Sequence, residues 1–244
     1  MRAAAAALIL TALASGPAAA EGPCAEFDGA RACFAEPTGR YAHGVLGDAI
    51  EWGALTLTLA DGRSATVTLP DDRVFEDVVP RLADLDGTGT PEIVVVESSM
   101  SGGASLSIYA FDRGALRAYA RTADIGRPNR WLAPVGIADL TGDGALDIAY
   151  VETPHLAGVL RVWSFAAGGL TEIAAARGFS NHRIGEDFIS GGIRTCDGGP
   201  EMITADLRWT RILASRVENG AIVARDLGPG IGSEDFGAAL ACRR

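Results

Sequence analysis

The chain has 244 residues, of which 48% are hydrophobic and 21% charged, and its formal net charge is −10 at neutral pH. This length allows one β domain or two smaller ones, each with a hydrophobic core. The acidic balance argues against nucleic acid and anionic lipid surfaces as partners, because no excess of basic side chains offsets repulsion by phosphate.

The first twenty residues have the pattern of a secretory signal peptide. Arg2 supplies a positive charge, residues 3–14 form an apolar run, and Ala18, Ala19 and Ala20 give the small residues of a cleavage site. The run is too short to span a membrane, and no later segment has about eighteen consecutive apolar residues. The sequence therefore predicts an exported protein, periplasmic or secreted, without a membrane anchor.

Four cysteines in an exported chain are typical of two disulfides, and four cysteines allow three connectivities. Cys24 and Cys33 are 9 residues apart, and Cys196 and Cys242 are 46 apart. Pairing of nearest neighbours is the simplest arrangement, whereas a bridge from Cys24 to Cys242 would tie the two termini together. We assign residues 21–37 to an N-terminal disulfide segment ahead of the main domain.

Four stretches alternate apolar and polar residues on both sides of a turn that contains glycine, which predicts β-hairpins. They are LTLTLADGRSATVTL (55–69), LSIYAFDRGALRAYA (106–120), LRVWSFAAGGLTEIA (160–174) and WTRILASRVENGAIVA (209–224). Their turn glycines are Gly62, Gly114, Gly169 and Gly220, spaced 51 to 55 residues apart. Such regular spacing indicates repeated supersecondary modules.

Short apolar strands that end on an acid lie between the hairpins. They read EIVVVE (92–97), DIAYVE (147–152) and EMITAD (201–206). Their apolar centres predict strands buried on both faces. With a further strand ahead of each, every module of about fifty residues holds roughly four strands, and four-stranded blades arranged radially form a β-propeller.

We therefore predict an all-β fold, a small β-propeller over residues 38–244. Its four blades fall near residues 38–80, 81–133, 134–190 and 191–244. The closing segment IGSEDF (231–236) is similar to IGEDF (184–188). The similarity suggests that the C-terminus begins another unit that joins the N-terminal one, so the chain has four blades, or five if the two termini jointly complete one.

Two acidic loops rich in glycine precede the first two buried strands. Positions 1, 3, 5, 7 and 9 are Asp84, Asp86, Thr88, Thr90 and Glu92 in the first loop. They are Asp139, Thr141, Asp143, Ala145 and Asp147 in the second. If the loop curls, alternate side chains and the carbonyl at position 7 converge as oxygen ligands, which is the ligand logic of a Ca²⁺ loop. The alternative is a pair of Asp-Gly turns whose side chains bond their own backbone.

The patterns DxDGxGxxE (84–92) and DxTGDGxxD (139–147), with the strands that follow, resemble FG-GAP/VCBS repeats. Those repeats form the blades of integrin-α-like propellers and of many bacterial exported proteins. The resemblance is specific over about residues 80–165 and implies a structural Ca²⁺ site in each loop, with position 9 as the last carboxylate. Each loop departs from the family's DxDGDGxxD by one threonine, Thr88 or Thr141, which is expected to lower affinity.

A third copy of the loop, RTCDGGPEM (194–202), keeps only Asp197 and Glu201 of the acidic positions. We expect it to hold no cation. A second set of acids recurs at a fixed position, five residues after position 9 of each copy. Its members are Glu97, Glu152 and Asp206, and Glu51 is a candidate counterpart in the first unit. These acids could form a ligand rim at the mouth of a propeller channel, or be solvated strand ends that prevent edge pairing.

No catalytic motif stands out. The histidines, His43, His155 and His182, lack metal-binding spacing, so a zinc site would require tertiary convergence. We predict a calcium-stabilised, non-enzymatic binding module for an unknown protein or glycan ligand. The alternative is a hydrolase of glycans or esters that uses acids at the channel mouth, and such an enzyme would show acids of perturbed pKa in a deep pocket.

Overall fold

A computed structural model describes residues 21–196 and 198–244 of the chain. In this part of the chain, eighteen strands form three antiparallel sheets, and one helix follows the last strand. The all-β prediction is confirmed. The predicted signal peptide, residues 1–20, lies outside the described residues. No helix in the described part of the chain has both the length and the apolar character needed to cross a membrane.

The strands group into four modules along the chain. Module I contains β1 (Glu21–Phe27), β2 (Ala30–Thr38), β3 (Glu51–Thr58) and β4 (Ser64–Thr68). Module II contains β5 (Arg73–Phe75), β6 (Arg81–Ala83), β7 (Glu92–Ser99), β8 (Gly103–Asp112) and β9 (Ala115–Arg121). Module III contains β10 (Leu132–Ala138), β11 (Asp147–Glu152), β12 (Val159–Ala166) and β13 (Gly169–Arg177). Module IV contains β14 (Phe179–Ser180), β15 (Gly192–Cys196), β16 (Gly199–Asp206), β17 (Arg211–Glu218) and β18 (Ala221–Pro229), and the helix α1 (Ser233–Leu240) follows it.

Each module is an antiparallel meander, and module III shows the simplest order, β10-β11-β12-β13. The first strand is split in modules II and IV, where β5 and β6 both pair with β7, and β14 and β15 both pair with β16. A single pair, Trp52 with Phe75, also joins β3 to β5 and links modules I and II into one sheet. The modules therefore begin earlier than predicted: residues 21–37 supply β1 and nearly all of β2 rather than a separate segment.

The four predicted hairpins are present and join the last two strands of each module. Three of them have two-residue turns in which both residues have positive φ, and these are Arg113–Gly114, Ala167–Gly168 and Asn219–Gly220. This conformation is the type I′ turn that matches strand twist. The predicted turn residue Gly169 is wrong by one position, because Gly169 begins β13 opposite Ala166 and Gly168 makes the turn.

The central strand of each module is buried because its alternate residues pack on different neighbours. In β7, Ile93 and Val95 join a cluster with module I, whereas Val94 and Val96 join a cluster with Trp131 of module III. The same period of two recurs in β11, between modules II and IV. Successive sheets therefore pack face to face, which gives the β-propeller-like arrangement.

The helix α1 covers the outer face of module IV. Phe236 and Ala239 pack with Ile203, Ala205 and Ile212 in one buried cluster. The prediction that the C-terminus begins a fifth blade with the N-terminal unit is therefore wrong. The segment forms a helix because Gly232 supplies an extended N-cap, the first turn is acidic, and the apolar residues recur at helical spacing.

Two covalent bridges close the ends of the fold. Cys24 and Cys33 face each other across β1 and β2, and Cys196 at the end of β15 is bonded to Cys242 after α1. Pairing of nearest neighbours is thus confirmed, and the bridge from Cys24 to Cys242 is not formed. Modules I and IV also meet through their long loops, since the Gly185 amide donates to the Val45 carbonyl at 3.0 Å.

Candidate functional site

The two acidic loops occupy the same place in consecutive modules. Residues 84–91 lie between β6 and β7, and residues 139–146 lie between β10 and β11. Two glycines in each loop have positive φ, namely Gly87 (72°), Gly89 (82°), Gly142 (78°) and Gly144 (89°). Glycine enters this region without a Cβ clash, so each loop curls as the sequence predicted.

The first loop brings three carboxylates together. One oxygen atom from each of Asp84, Asp86 and Glu92 lies within 4.8 Å of the other two. The Gly89 amide donates to Asp84 Oδ2 at 3.0 Å, and the Leu85 amide donates to Glu92 Oε2 at 2.8 Å. The other oxygen of Asp84, Oδ1, is buried and accepts no hydrogen bond within the described residues. An orphaned carboxylate oxygen beside two further carboxylates fits the donor set that a hard cation prefers.

The three carboxylates of this cluster repel one another. Burial, followed by repulsion from Asp86 and Asp84, raises the pKa of Glu92 to about 7. Glu92 is therefore partly protonated near neutral pH unless a positive charge lies close by. A divalent cation would supply that charge, so the residues of the first loop fit Ca²⁺.

The second loop is organised differently. Both oxygens of Asp139 accept backbone amides, from Gly142 at 2.7 Å and from Gly144 at 3.0 Å. Asp147 Oδ2 accepts the amide and the hydroxyl of Thr141 at 3.1 and 3.2 Å, whereas Asp147 Oδ1 is buried without a hydrogen bond among the described residues. Its carboxylates do not come together as those of the first loop do. This loop is thus closer to the Asp-Gly turn alternative.

The other predicted ligands accept backbone amides of their own loops or line a groove. The Thr88 amide donates to Asp86 Oδ1 at 3.1 Å, and the Ala145 amide donates to Asp143 Oδ1 at 2.9 Å. Thr90 lines the groove together with Thr88. The structure therefore brings Asp86, Thr88, Thr90 and Glu92 of the first loop to the wall of a surface groove.

The groove beside the first loop has a volume of about 370 Å³. One wall is the acidic loop, and the other is the β8–β9 hairpin, which contributes Phe111, Asp112, Arg117 and Tyr119. Tyr119 is 44% exposed, and its ring lies edge-on to Phe165, with the ring centroids 5.6 Å apart. The groove thus combines a supported aromatic ring, a guanidinium group and the acidic loop.

In the third copy, guanidinium groups surround the acid at position 9. Glu201 stands where Glu92 and Asp147 stand in the other copies, and it is buried. Arg194 Nε donates to Glu201 Oε2 at 2.7 Å, and Arg216 and Arg225 approach Oε1 at 3.1 and 3.2 Å. That the third copy holds no cation stays a prediction. Asp197 lies outside the described residues.

The acids of the predicted ligand rim have separate partners. Glu97 accepts the Tyr109 hydroxyl at 2.7 Å and pairs with Arg73 and Arg121. Glu152 pairs with Arg161 at 2.9 Å. These hydrogen bonds neutralise two of the acids within their own modules.

Asp206, the third acid of that rim, is also engaged locally. It accepts the Thr210 and Arg211 amides at 2.6 and 2.8 Å in the turn that leads to β17. Glu51, the candidate counterpart, is buried and differs from all three, because it accepts no hydrogen bond within the described residues. The four acids therefore do not share one partner or one chemical environment.

Sequence reasoning missed a cluster around Trp131. His155 Nε2 and His182 Nδ1 are 2.9 Å apart, and both rings pack against the Trp131 indole. His43 lies nearby and contacts Glu76 at 2.5 Å. No spacing could reveal this convergence, because the three histidines come from modules I, III and IV.

Buried histidine should make the protein acid-sensitive. Burial, with repulsion from His182 and His43, lowers the pKa of His155 to about 4, whereas an unfolded histidine titrates near 6.5. The stability that depends on neutral His155 is complete above about pH 6.5 and is lost as the pH falls toward 4, because the unfolded chain binds the proton first.

His155→Gln should therefore lose less stability than the unmodified chain between pH 6.5 and 4.5. The difference should reach at most about 1.4 kcal/mol per pH unit, measured by urea unfolding. The carboxylates are the same in both proteins and cancel from the comparison. If the free energy of unfolding falls equally with pH in both proteins, His155 is not the source of the acid sensitivity.

The fold and the loop geometry define a β-propeller-like protein built from repeated modules, two of which carry an acidic loop rich in glycine. Residues 84–150 match the sequence model of the FG-GAP-like repeat. The match covers both acidic loops and confirms the predicted resemblance there.

Among solved structures, the exotype rhamnogalacturonan lyase YesX is similar to this chain at 14% sequence identity and a TM-score of 0.47. The similarity covers 85% of this chain and 47% of the lyase chain, so this chain spans less than half the length of the lyase. No curated protein sequence matches this chain.

Proposed function

We propose that this protein is an exported, calcium-stabilised binding module without enzymatic activity. The observation that carries the calcium assignment is the convergence of Asp84, Asp86 and Glu92 around the orphaned Asp84 Oδ1. The Thr88 hydroxyl and the Thr90 carbonyl would complete the set. A bound Ca²⁺ would neutralise the loop and order it, which is a structural role.

The second loop is proposed as the weaker site. Asp139, Asp143 and Asp147 with Thr141 and the Ala145 carbonyl supply the same kinds of oxygen. Asp139, however, already accepts amides with both of its oxygens. Ligation would have to replace those hydrogen bonds, which lowers the net gain. Calcium should therefore fill the first loop at lower concentration.

The groove beside the first loop is the proposed ligand site. Ordering of the acidic loop by calcium would fix one wall, and the β8–β9 hairpin forms the other. An exposed aromatic ring flanked by Arg117 and Asp112 suits stacking and hydrogen bonding to a protein or glycan ligand. Ligand binding should consequently depend on calcium.

The hydrogen bonds of Glu97, Glu152 and Asp206 argue against these three acids as the catalytic pair of the alternative hydrolase. Glu92 and Glu51, whose pKa is raised, are the acids that this alternative would have to use. Glu97 and Glu152 are paired with arginines, and Asp206 is held by backbone amides. A glycan hydrolase of the usual kind needs two available carboxyl groups that flank the bond to be cleaved. Turnover of a bound glycan or ester would favour the alternative.

The two disulfides fit an oxidising compartment. We propose the periplasm or the extracellular space as the site of action. The acidic net charge supports a protein or glycan partner rather than nucleic acid.

Calcium binding can be tested by unfolding the protein in 10 mM CaCl₂ and in EDTA. A dissociation constant of about 10⁻⁴ to 10⁻³ M, typical of extracellular modules, predicts stabilisation by about 1.4 to 2.7 kcal/mol. Asp86→Asn should remove the larger part of this gain. Asp143→Asn is the matched control in the second loop, since both side chains are exposed.

The control should retain the calcium effect. No stabilisation of the unmodified chain would remove calcium from the proposal. Loss of the effect in Asp143→Asn alone would move the tighter site to the second loop.

The groove can be tested by screening glycan and peptide arrays in calcium. Arg117→Gln should weaken any ligand found by about tenfold, as for loss of a charge-assisted hydrogen bond. Arg113→Gln is the matched control, because Arg113 lies in the turn of the same hairpin and does not line the groove. Equal losses in both variants would place the ligand elsewhere.

A further inference from the structure

A second pocket, of about 240 Å³, shares no lining residue with the groove beside the first acidic loop. It lies where module I meets module II, and the long loop of module IV borders it. Its walls include Leu46, Asp48, Ile50, Glu51, Trp52 and Asp187. This pocket combines carboxyl groups with apolar side chains.

Glu51 is the unusual residue of this pocket. It is 2% exposed, yet its carboxyl group has no hydrogen-bond or ion-pair partner within residues 21–196 and 198–244. The buried acids nearby are satisfied: Glu76 contacts His43 at 2.5 Å, and Asp77 accepts Arg81 at 2.8 Å. The Glu51 oxygens are not among the fully buried unpaired polar atoms of the described residues, so water reaches them from the pocket and they can accept hydrogen bonds from a ligand.

The pocket also has an excess of acid. Asp48 and Asp187 line it from two exposed loops, and neither forms an ion pair within the described part of the chain. The nearby guanidinium group of Arg81 is committed to Asp77. A positive charge that enters from solvent would therefore find no competing basic group on the pocket walls.

The occupant should be an organic cation rather than a metal ion. Among the described residues, three carboxylates close enough to chelate one ion are found only in the first acidic loop. Leu46, Ile50 and Trp52 instead offer apolar surface next to Glu51. This combination suits one positive charge carried on an apolar stem.

We propose that this pocket binds a primary ammonium or guanidinium group on an apolar stem, with Glu51 as its carboxylate partner. Burial, followed by repulsion from Glu76, Asp48 and Asp77, raises the pKa of Glu51 to about 9. Glu51 thus carries a proton at pH 7 when no cation is near, and a bound cation displaces that proton. This binding requires neither calcium nor the ligand groove.

Isothermal titration with pentylamine in EDTA tests the pocket. Pentanol, the neutral analogue, should bind at least tenfold more weakly. Titrations at pH 7 in buffers of different ionisation enthalpy should show release of about one proton for each amine bound. Binding of pentanol as tight as that of pentylamine, or no binding of pentylamine, would overturn the assignment.

Glu51→Gln should weaken pentylamine binding at least tenfold and abolish proton release. Because an amide resembles a protonated carboxyl group, this variant should fold as the unmodified chain does. Glu26→Gln, on the exposed face of β1, is the matched control and should change affinity by less than twofold.

Asp187→Asn provides a second variant on an exposed loop and should weaken binding about threefold. Equal affinities in all three variants would overturn the assignment, whatever the stability of Glu51→Gln. A heat of Ca²⁺ binding that Glu51→Gln removes would identify a metal site instead.

Two sources could supply the cation, a small free amine or a basic side chain of a partner protein. N-acetyl-lysine N-methylamide carries the same ammonium group within a peptide backbone. If it binds at least tenfold more tightly than pentylamine, the source is a protein side chain. If pentylamine binds as tightly or more tightly, the source is a small amine.

Discussion

Replacement of Arg194 by alanine is expected to lower the free energy of unfolding by about 3 kcal/mol, because it leaves the buried Glu201 carboxylate without its closest partner. Arg194 is itself buried, and it also donates to the Ala239 carbonyl at 2.6 Å and to the Arg244 carbonyl at 2.9 Å. One side chain therefore satisfies the third acidic loop and holds the end of α1. Arg216 and Arg225 remain near Glu201, so the loss should fall at the lower end of the usual range of 3–5 kcal/mol.

Urea unfolding of Arg194→Ala and of Arg225→Ala would test this expectation. Arg225 is largely exposed and contacts the same carboxylate, so its removal should cost less than about 1 kcal/mol. The double variant Arg194→Met with Glu201→Leu should recover much of the lost stability, since it removes both buried charges. Equal losses in Arg194→Ala and Arg225→Ala would contradict the role given to Arg194.

Opening the bridge between Cys196 and Cys242 should have the other large effect. The bridge closes a segment of 46 residues, and the chain-entropy relation gives about 4 kcal/mol for a loop of this length. Cys196→Ser with Cys242→Ser should therefore lower the midpoint of urea unfolding strongly. The physical reason is that the open, unfolded chain gains conformations that the bridge had excluded.

The other disulfide is a matched control. Cys24 and Cys33 close only 9 residues, for which the same relation gives about 2.6 kcal/mol. Removal of the longer bridge should therefore cost roughly 1.4 kcal/mol more than removal of the shorter one. The reverse order would show that contacts made by α1, rather than loop closure, dominate this end of the fold.

Modules II, III and IV satisfy the same acidic position in three ways. Glu92 accepts one amide and stands beside two further carboxylates, Asp147 accepts two amides and a hydroxyl, and Glu201 is surrounded by arginines. The strand that follows is buried in all three modules. The same position therefore holds an acid in three modules, and the groups around that acid differ from one module to the next.

The hairpins, the buried central strands and the bridge between Cys24 and Cys33 were predictable because each depends on residues close together in sequence, and the bridge between Cys196 and Cys242 followed as the remaining pair. The error at Gly169 shows the limit of this approach. Gly168 and Gly169 are adjacent and identical, so the sequence cannot say which of them lies in the turn, and only the strand pairing of Ala166 with Gly169 decides it. The split first strands of modules II and IV were also missed. In module II, the Asp77 carboxylate accepts the Val96 amide within the interruption, which is a contact between distant residues.

The candidate site was predictable as a set of residues but not as an arrangement. The two acidic loops have similar sequences, yet the carboxylates converge only in the first, at Asp84, Asp86 and Glu92. In the second loop, both oxygens of Asp139 accept amides of that loop. Glu51 looked like one of several acids at strand ends. Its burial without a partner became visible only once modules I, II and IV were assembled.

The sequence by itself determined the all-β class, the repeated module and the oxygen-rich loops, because alternation, turn glycines and acid spacing act over a few residues. Tertiary structure alone decided that α1 covers module IV, that Arg194 pairs with the buried Glu201, and that three histidines gather around Trp131. Those outcomes depend on burial and on contacts between modules. Burial raises the energetic cost of every unpaired charge, and only packing reveals which charges are buried.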